Sequence, residues 1–498
     1  MPKNTVNVNL SAPTTPTTRS GVRCIGAGRA NEVLRADLQD HLALATSACG
    51  FEYIRFHGLL HDDMGVYMND RTGTPLMSFN YIDACYDALL DIGIRPFVEF
   101  SFTPLLLARG DKSVFWWKGN VTLPNDLSKW KELIGALMHH WIRRYGRHEV
   151  RQWYFECWNE PNHRNFFDGS MEEYFSLYDV TAHAVKEADS ECRVGGPATA
   201  GPNWAAELIN YCHTHTIPLD FISCHHYGVS QGDGLDEFGR NEIFVLQDKE
   251  NFPNAVSKVK SEIENSPMPE LELHFTEWNT SYSPRDNIHD SYYNAAYILD
   301  VLARVSSSVD SMSYWALSDI FEEPGPVQTP FHGGFGLINA QGLRKPTFFV
   351  HQFLNRLLPE TVPCDNNGVW ATKSEDRVAL LLWDHTFMAQ KVSNQKFFTQ
   401  DLPPSKLPDA QLLISGLGSG GYTFNAVRVG YRSNDVFAAY YDLGRPNHLT
   451  REDTAALDAA ANGAPLMHER VVVGGEGVWE RTLPMRTNDI WFVELVRS

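Results

Sequence analysis

The chain has 498 residues and a formal net charge of −19, from 42 Lys and Arg against 61 Asp and Glu. So acidic a balance argues against nucleic acid and anionic membrane surfaces as partners, since both need a basic face. The length exceeds one compact core, so two domains are expected, and 43% hydrophobic with 12% aromatic residues leaves rings to spare for a cleft.

The first ten residues carry one lysine and no apolar run of signal-peptide length, and no later run approaches the roughly 20 residues of a membrane span. Eight cysteines (24, 49, 85, 157, 192, 212, 224 and 364) form no Cys-x-x-Cys pair. That pattern suits reduced, buried thiols and predicts a cytoplasmic protein. Residues 6–10 alternate apolar and polar and predict a strand that joins a distant β domain, followed by a short linker at 13–18.

Between about residues 22 and 318, strand-like runs alternate with helix-like ones. The spacing predicts strands at 22–25, 53–57, 95–101, 152–158, 193–196, 221–227, 272–277 and 312–315. It predicts helices at 31–48, 81–90, 127–145, 171–188, 204–212, 254–264 and 290–305. Asp126 and Asn203 stand where N-caps belong, and Gly50 and Gly93 where helices end. Eight such alternations point to a (β/α)8 barrel. From 346 onward, short β-rich runs at 378–383, 426–431 and 490–495, with one helical stretch at 451–461, read as a β-sandwich accessory domain. The expected organisation is an N-terminal strand in 1–14, a catalytic barrel in 15–345 and the sandwich in 346–498.

Two glutamates fall where apolar runs give way to polar turns. Glu160, in Trp158-Asn159-Glu160-Pro161-Asn162, lies just past the fourth strand, and Glu277, in His274-Phe275-Thr276-Glu277-Trp278-Asn279, ends the seventh. The C-terminal strand ends form the active-site face of a parallel barrel, and two facing carboxylates there are the minimum for cleaving a glycosidic bond. Arg55 and His57 share one face of the second strand, where they can support Glu277 or pair with Glu99. On the sixth strand His225 and Tyr227 share one face, with Cys224 and His226 on the other. Trp315 closes the eighth strand and can carry the apolar face of a pyranose. Phe115, Trp116 and Trp117 are dense enough in rings to wall a pocket. The pairs His139-His140 and His225-His226, and His213-x-His215, lack metal-ligand spacing, so neither a metal nor a cofactor is expected.

The Asn-Glu-Pro motif resembles the acid/base motif of the clan of retaining (β/α)8 glycosidases. Together with 276–284, Phe321-Glu322-Glu323 and 331–337 (Phe-His-Gly-Gly-Phe-Gly-Leu), it resembles glycoside hydrolase family 39, specifically its β-xylosidases. That resemblance implies Glu160 as acid/base, Glu277 as nucleophile and Arg55 as its support. It also implies substrate contacts from His57, Asn159, His225, Tyr227, Tyr282, Trp315, Glu322 and Glu323. The expected activity is exo-acting release of xylose from xylo-oligosaccharides or β-xylosides. α-L-Iduronidase is the competitor within the family, although its acidic substrate fits poorly beside Glu322 and Glu323. An endo-glycanase needs an open cleft, and a non-catalytic sugar-binding protein has no use for both glutamates. A homo-oligomer would let one accessory domain shape a neighbour's pocket, and nothing in the sequence requires it.

Overall fold

The computed structural model describes residues 4–235 and 241–498. Eight strands close into a barrel: β1 Cys24–Arg29, β2 Tyr53–His57, β3 Arg95–Phe100, β4 Tyr154–Cys157, β5 Arg193–Thr199, β6 Phe221–Tyr227, β7 Glu272–Asn279 and β8 Ser311–Tyr314. Neighbours are parallel all the way round, and Tyr314 opposite Ile25 closes the ring. β2 and β6 have the expected bounds. β1 does not: Ser20–Arg23 form a turn of helix, so the strand starts at Cys24 rather than 22 and runs through Gly26 and Gly28.

Those glycines are forced by close approach. A Cβ on Gly26 would lie 2.3 Å from Cε3 of Trp315, and one on Gly28 would lie 2.2 Å from a carboxylate oxygen of Glu32. Glycine is a weak strand former, so the element was hidden by the residues its packing demands.

Inside the barrel the strands stack their inward side chains in layers. Cys24, Tyr53, Phe97, Tyr154 and Phe221 fill the layer at the N-terminal ends. Two residues further along, the inward positions of β2, β3 and β4 hold Arg55, Glu99 and Glu156, all at most 1% exposed. Apolar packing thus gives way to charge midway up the barrel.

The accessory domain is a sandwich. A seven-stranded sheet containing Arg377–Trp383, Gly420–Val429 and Ile490–Arg497 faces a three-stranded sheet of Asn4–Asn9, Ala410–Ser415 and Val478–Leu483. Asn4–Asn9 pairs parallel with Ala410–Ser415. Val6, Val8, Leu380, Leu412, Phe424 and Val493 share the core between the sheets. The other face of the larger sheet packs on helix Pro346–Asn355, where Phe353 stacks on Phe492 with centroids 4.8 Å apart and planes 6° from parallel. That helix begins at the expected boundary of 346, yet Phe348, Phe349 and Phe353 belong to the core shared with the barrel. By packing it is the barrel's last helix, and it doubles as the seat of the accessory domain.

All eight cysteines are free thiols, and all but the partly exposed Cys364 are buried. No helix among the described residues is long and apolar enough to cross a membrane. Because Phe353 is fully buried between the domains, Phe353→Ala is expected to cost about 3–5 kcal/mol, measured by denaturant unfolding.

Candidate active site

β4 and β7 bring the two glutamates together. Trp158 and Glu160 follow β4 with φ of 72° and 46°, in the left-handed region that costs side-chain-bearing residues. The strain is held by Glu160 donating its amide to Ala198 O (2.8 Å) and Trp158 donating its indole N–H to Phe166 O (2.9 Å). An oxygen of Glu160, an oxygen of Glu277 and a ring nitrogen of His225 all lie within 4.8 Å of one another. Carboxylates about 5–5.5 Å apart suit direct attack and retention, whereas inversion needs room for a water at about 6.5–9.5 Å.

Arg55 organises what lies beneath. Its guanidinium, with no exposed surface, reaches Glu156 (2.6 Å), Glu99 (2.8 Å), Glu277 Oε1 (2.7 Å) and Asn159 Oδ1 (3.0 Å). Support of Glu277 and pairing with Glu99, alternatives from sequence, both occur. Glu99 and Glu156 are register partners on adjacent strands, so the cation between them offsets their repulsion. The bond to Asn159 Oδ1 also decides which way that amide points, leaving its N–H2 for a ligand. His57 bridges Glu99 (2.7 Å) to Glu277 and Glu323 (3.4 Å each). Tyr227 donates to Glu277 Oε2 at 2.9 Å, and His225 Nδ1 lies 2.9 Å from Glu160. A register shift between Cys224 and His225 places His225 opposite Glu277.

The charge states follow. Burial acts against charge on His57, but Glu99 and Glu323 raise it to about 10, so it is an imidazolium at neutral pH. Burial, with Arg55 and His57 nearby, holds His225 well below its usual value and neutral. Burial, then repulsion from Glu277, keeps the Glu160 carboxyl well above the usual range. Burial lifts Glu277 too, to about 6, while Arg55, His57 and the Tyr227 hydroxyl pull it down. One carboxyl keeps its proton and the other loses it, the division a general acid and a nucleophile require.

The glutamates open into a cavity of about 550 Å³. His57, Asn159, Tyr227, Trp315, Glu323 and Phe335 line it with the glutamates toward the inner end, and Tyr282, His163, Asn165 and Gln231 line its exposed rim. His225 stands behind Glu160. Glu322 is a correction. It does not line this cavity but turns away to Arg29 (3.0 Å) and Arg35 (3.3 Å). The two arginines hold the Glu322 carboxylate away from the cavity that Glu323 lines. None of Phe115, Trp116 and Trp117 lines the cavity either. Phe115 stacks behind His57 (5.8 Å), Trp117 lies buried under Arg29 (5.2 Å), and Trp116 is 56% exposed. Phe166 and Phe335 supply lining rings instead, unnoticed because no motif in the sequence distinguishes a loop Phe that faces a cavity from one that packs. His226 turns its ring outward onto Phe252 (4.7 Å), as the alternation of the strand predicts.

Glu160, His225 and Glu277 are also the one set among the described residues spaced to hold a metal ion. The charges oppose it. Arg55 and the His57 imidazolium already hold Glu277, and a third cation would sit beside two.

Comparison with known proteins fits this geometry. Residues 4–470 match the profile of Glycosyl hydrolases family 39. The chain belongs to that family. A β-xylosidase of Geobacillus stearothermophilus is 37% identical over 479 residues, covering 95% of this chain and 92% of the relative. One from Caldicellulosiruptor saccharolyticus is 38% identical over 446 residues, covering 88% of each. A solved monomeric β-xylosidase from Caulobacter crescentus CB15 superposes with a TM-score of 0.96 at 41% identity, over 99% of both chains. As in other members of the family, the chain is a glycosidase with a barrel and an accessory β domain.

The charge states predict a bell-shaped pH profile of kcat/KM. Activity is lost as pH falls through about 6, where Glu277 takes up a proton, and again as pH rises through the raised value of Glu160. Tyr227→Phe removes a bond that lowers Glu277, so the acid limb moves to higher pH. kcat/KM falls about 10–100-fold, read from pH–rate profiles of both proteins.

Proposed function

We propose that this member of family 39 is a retaining, exo-acting β-D-xylosidase that works by double displacement without a cofactor. The observation that carries the reading is the pair of carboxyls within 4.8 Å at the inner end of a cavity with an exposed rim. Such a cavity accepts the end of a chain and sends the rest out past Tyr282 and Gln231. The names of the relatives support xylose as the sugar.

In the first step Glu277 attacks the anomeric carbon while Glu160 gives its proton to the departing oxygen, leaving a glycosyl ester on Glu277. Esterification removes the charge that helped hold the Glu160 proton, so the acidity of Glu160 rises and it becomes the base that deprotonates the incoming water. Two inversions at one carbon give net retention. The free N–H2 of Asn159 is placed for the 2-hydroxyl, Trp315 for the apolar face of the ring, and Glu323 with His57 for the hydroxyls at the inner end. A uronic acid is disfavoured, because among the described residues no Lys or Arg lines the cavity and Glu323 does.

Glu277→Ala is expected to abolish release of nitrophenol from an aryl β-D-xyloside, and added azide to restore part of it as the inverted glycosyl azide. Retained activity without azide contradicts the assignment. Glu160→Ala should still form the intermediate from substrates with good leaving groups and stall at deglycosylation. Equal slowing of glycosylation for good and poor leaving groups would argue against an acid role.

A further inference from the structure

The segment 331–337 sends only Phe335 into the cavity, yet its backbone is bound more tightly than an ordinary loop. Lys345, with no exposed surface, forms ion pairs with Asp290 Oδ1 (2.6 Å) and Asp319 Oδ2 (2.7 Å) and donates to Gly334 O (2.8 Å). Each aspartate divides its oxygens between Lys345 and a glycine amide: Asp290 Oδ2 accepts from Gly333 N–H (2.8 Å) and Asp319 Oδ1 from Gly336 N–H (2.7 Å). The loops after β7 and β8 and the segment 333–336 thus meet at one buried cation.

Glycine is required where they meet. A Cβ on Gly334 would lie 2.4 Å from Asp319 Oδ1, one on Gly336 2.4 Å from the Asp319 amide nitrogen, and Gly333 has φ of +79°. Gly333 O accepts from the Asp286 amide (2.9 Å) and lies 3.0 Å from His289 Nδ1. Phe335 projects from this pinned segment. Its ring lies 5.2 Å from Phe321, whose ring lies 5.8 Å from Trp315, and the three form one buried cluster.

We propose that Lys345 is a positioning residue of the active site, which pins Gly333, Gly334 and Gly336 so that Phe335 backs Phe321 and Trp315 at the sugar-binding wall. A single buried cation between two strand-end loops sets the shape of that wall without touching the ligand. Phe335 is the contact, and Lys345 acts through it. Glu277 lies on β7 itself, Glu160 follows β4, and Arg55, His57 and Tyr227 lie on β2 and β6, so losing the pin should disturb the fit of the sugar more than the chemical step. The proposal rests on reading the cavity as a glycoside pocket.

The test compares kcat and KM of Lys345→Met, Phe335→Ala and the double variant. Should Lys345→Met not fold, Gly334→Ala, which crowds Asp319 and leaves every charge in place, takes its part. Each single variant is expected to raise KM about tenfold, the scale of one aromatic contact, with a smaller change in kcat. The double variant should be no worse than Phe335→Ala alone, because both changes remove the same wall. A wild-type KM in Lys345→Met, Gly334→Ala or Phe335→Ala overturns the proposal, and so do effects that multiply in the double variant or fall on kcat alone. The comparison uses whichever glycoside the wild type hydrolyses. A failure of the xyloside reading would appear in the wild type, and a failure of the pin only in the variants.

Discussion

The buried guanidinium of Arg55 is the constraint on which the site depends. Glu99, Glu156 and Glu277 lie within 2.6–2.8 Å of it, the first two with no exposed side-chain surface and the third at the cavity wall. Without a cation their mutual repulsion and lost hydration would drive them to take up protons. With it, Glu277 keeps a charge in a place where burial alone would remove it. Burial still works against Arg55, but the three carboxylates raise its pKa and hold it charged. The same group orients Asn159, so the charge of the nucleophile and the direction of the neighbouring amide share one cause.

A second division separates what is rigid from what is exposed. The inner end of the cavity is made from strand ends and pinned loops, with His57, Asn159, Trp315 and Phe335 all at most 2% exposed. The rim is made from longer loops, where Tyr282 is 39% exposed and held by Gln231 at 2.7 Å. Contacts to the terminal sugar therefore fall on the buried part of the barrel, and those to the leaving group on the exposed rim. The accessory domain reaches this architecture through Asn394, which donates to Asp286 (2.9 Å) in the loop that carries Asp290.

Much of this was legible in the chain. Helices Leu127–Tyr145 and Met171–Ala188 have the predicted bounds because their apolar period is long and their caps, Asp126 and Ser170, are strong. β1 was misplaced because the approach of Trp315 and Glu32 demands glycines that look unlike a strand. The parity of β2 put Arg55 and His57 on the inner face, where they are found. The parity of β6 held too, with His225 and Tyr227 reaching Glu160 and Glu277 while the His226 ring packs outward on Phe252. Adjacent residues in a loop carry no parity at all, so Glu322 and Glu323 could be separated only by finding Arg29 and Arg35 in space. Glu156 stayed out of sight because a lone carboxylate in an apolar run gives no sign of the arginine two strands away that keeps it there.

The most direct test of the central claim is to trap the intermediate. A 2-deoxy-2-fluoro β-xyloside with a good leaving group slows both steps, deglycosylation included, because fluorine disfavours the oxocarbenium-like transition states. Mass spectrometry of the inactivated enzyme should show one fluoroxylosyl group, and peptide mapping should place it on Glu277. A label on another carboxylate, or steady turnover to the inverted sugar with no label, would contradict the account.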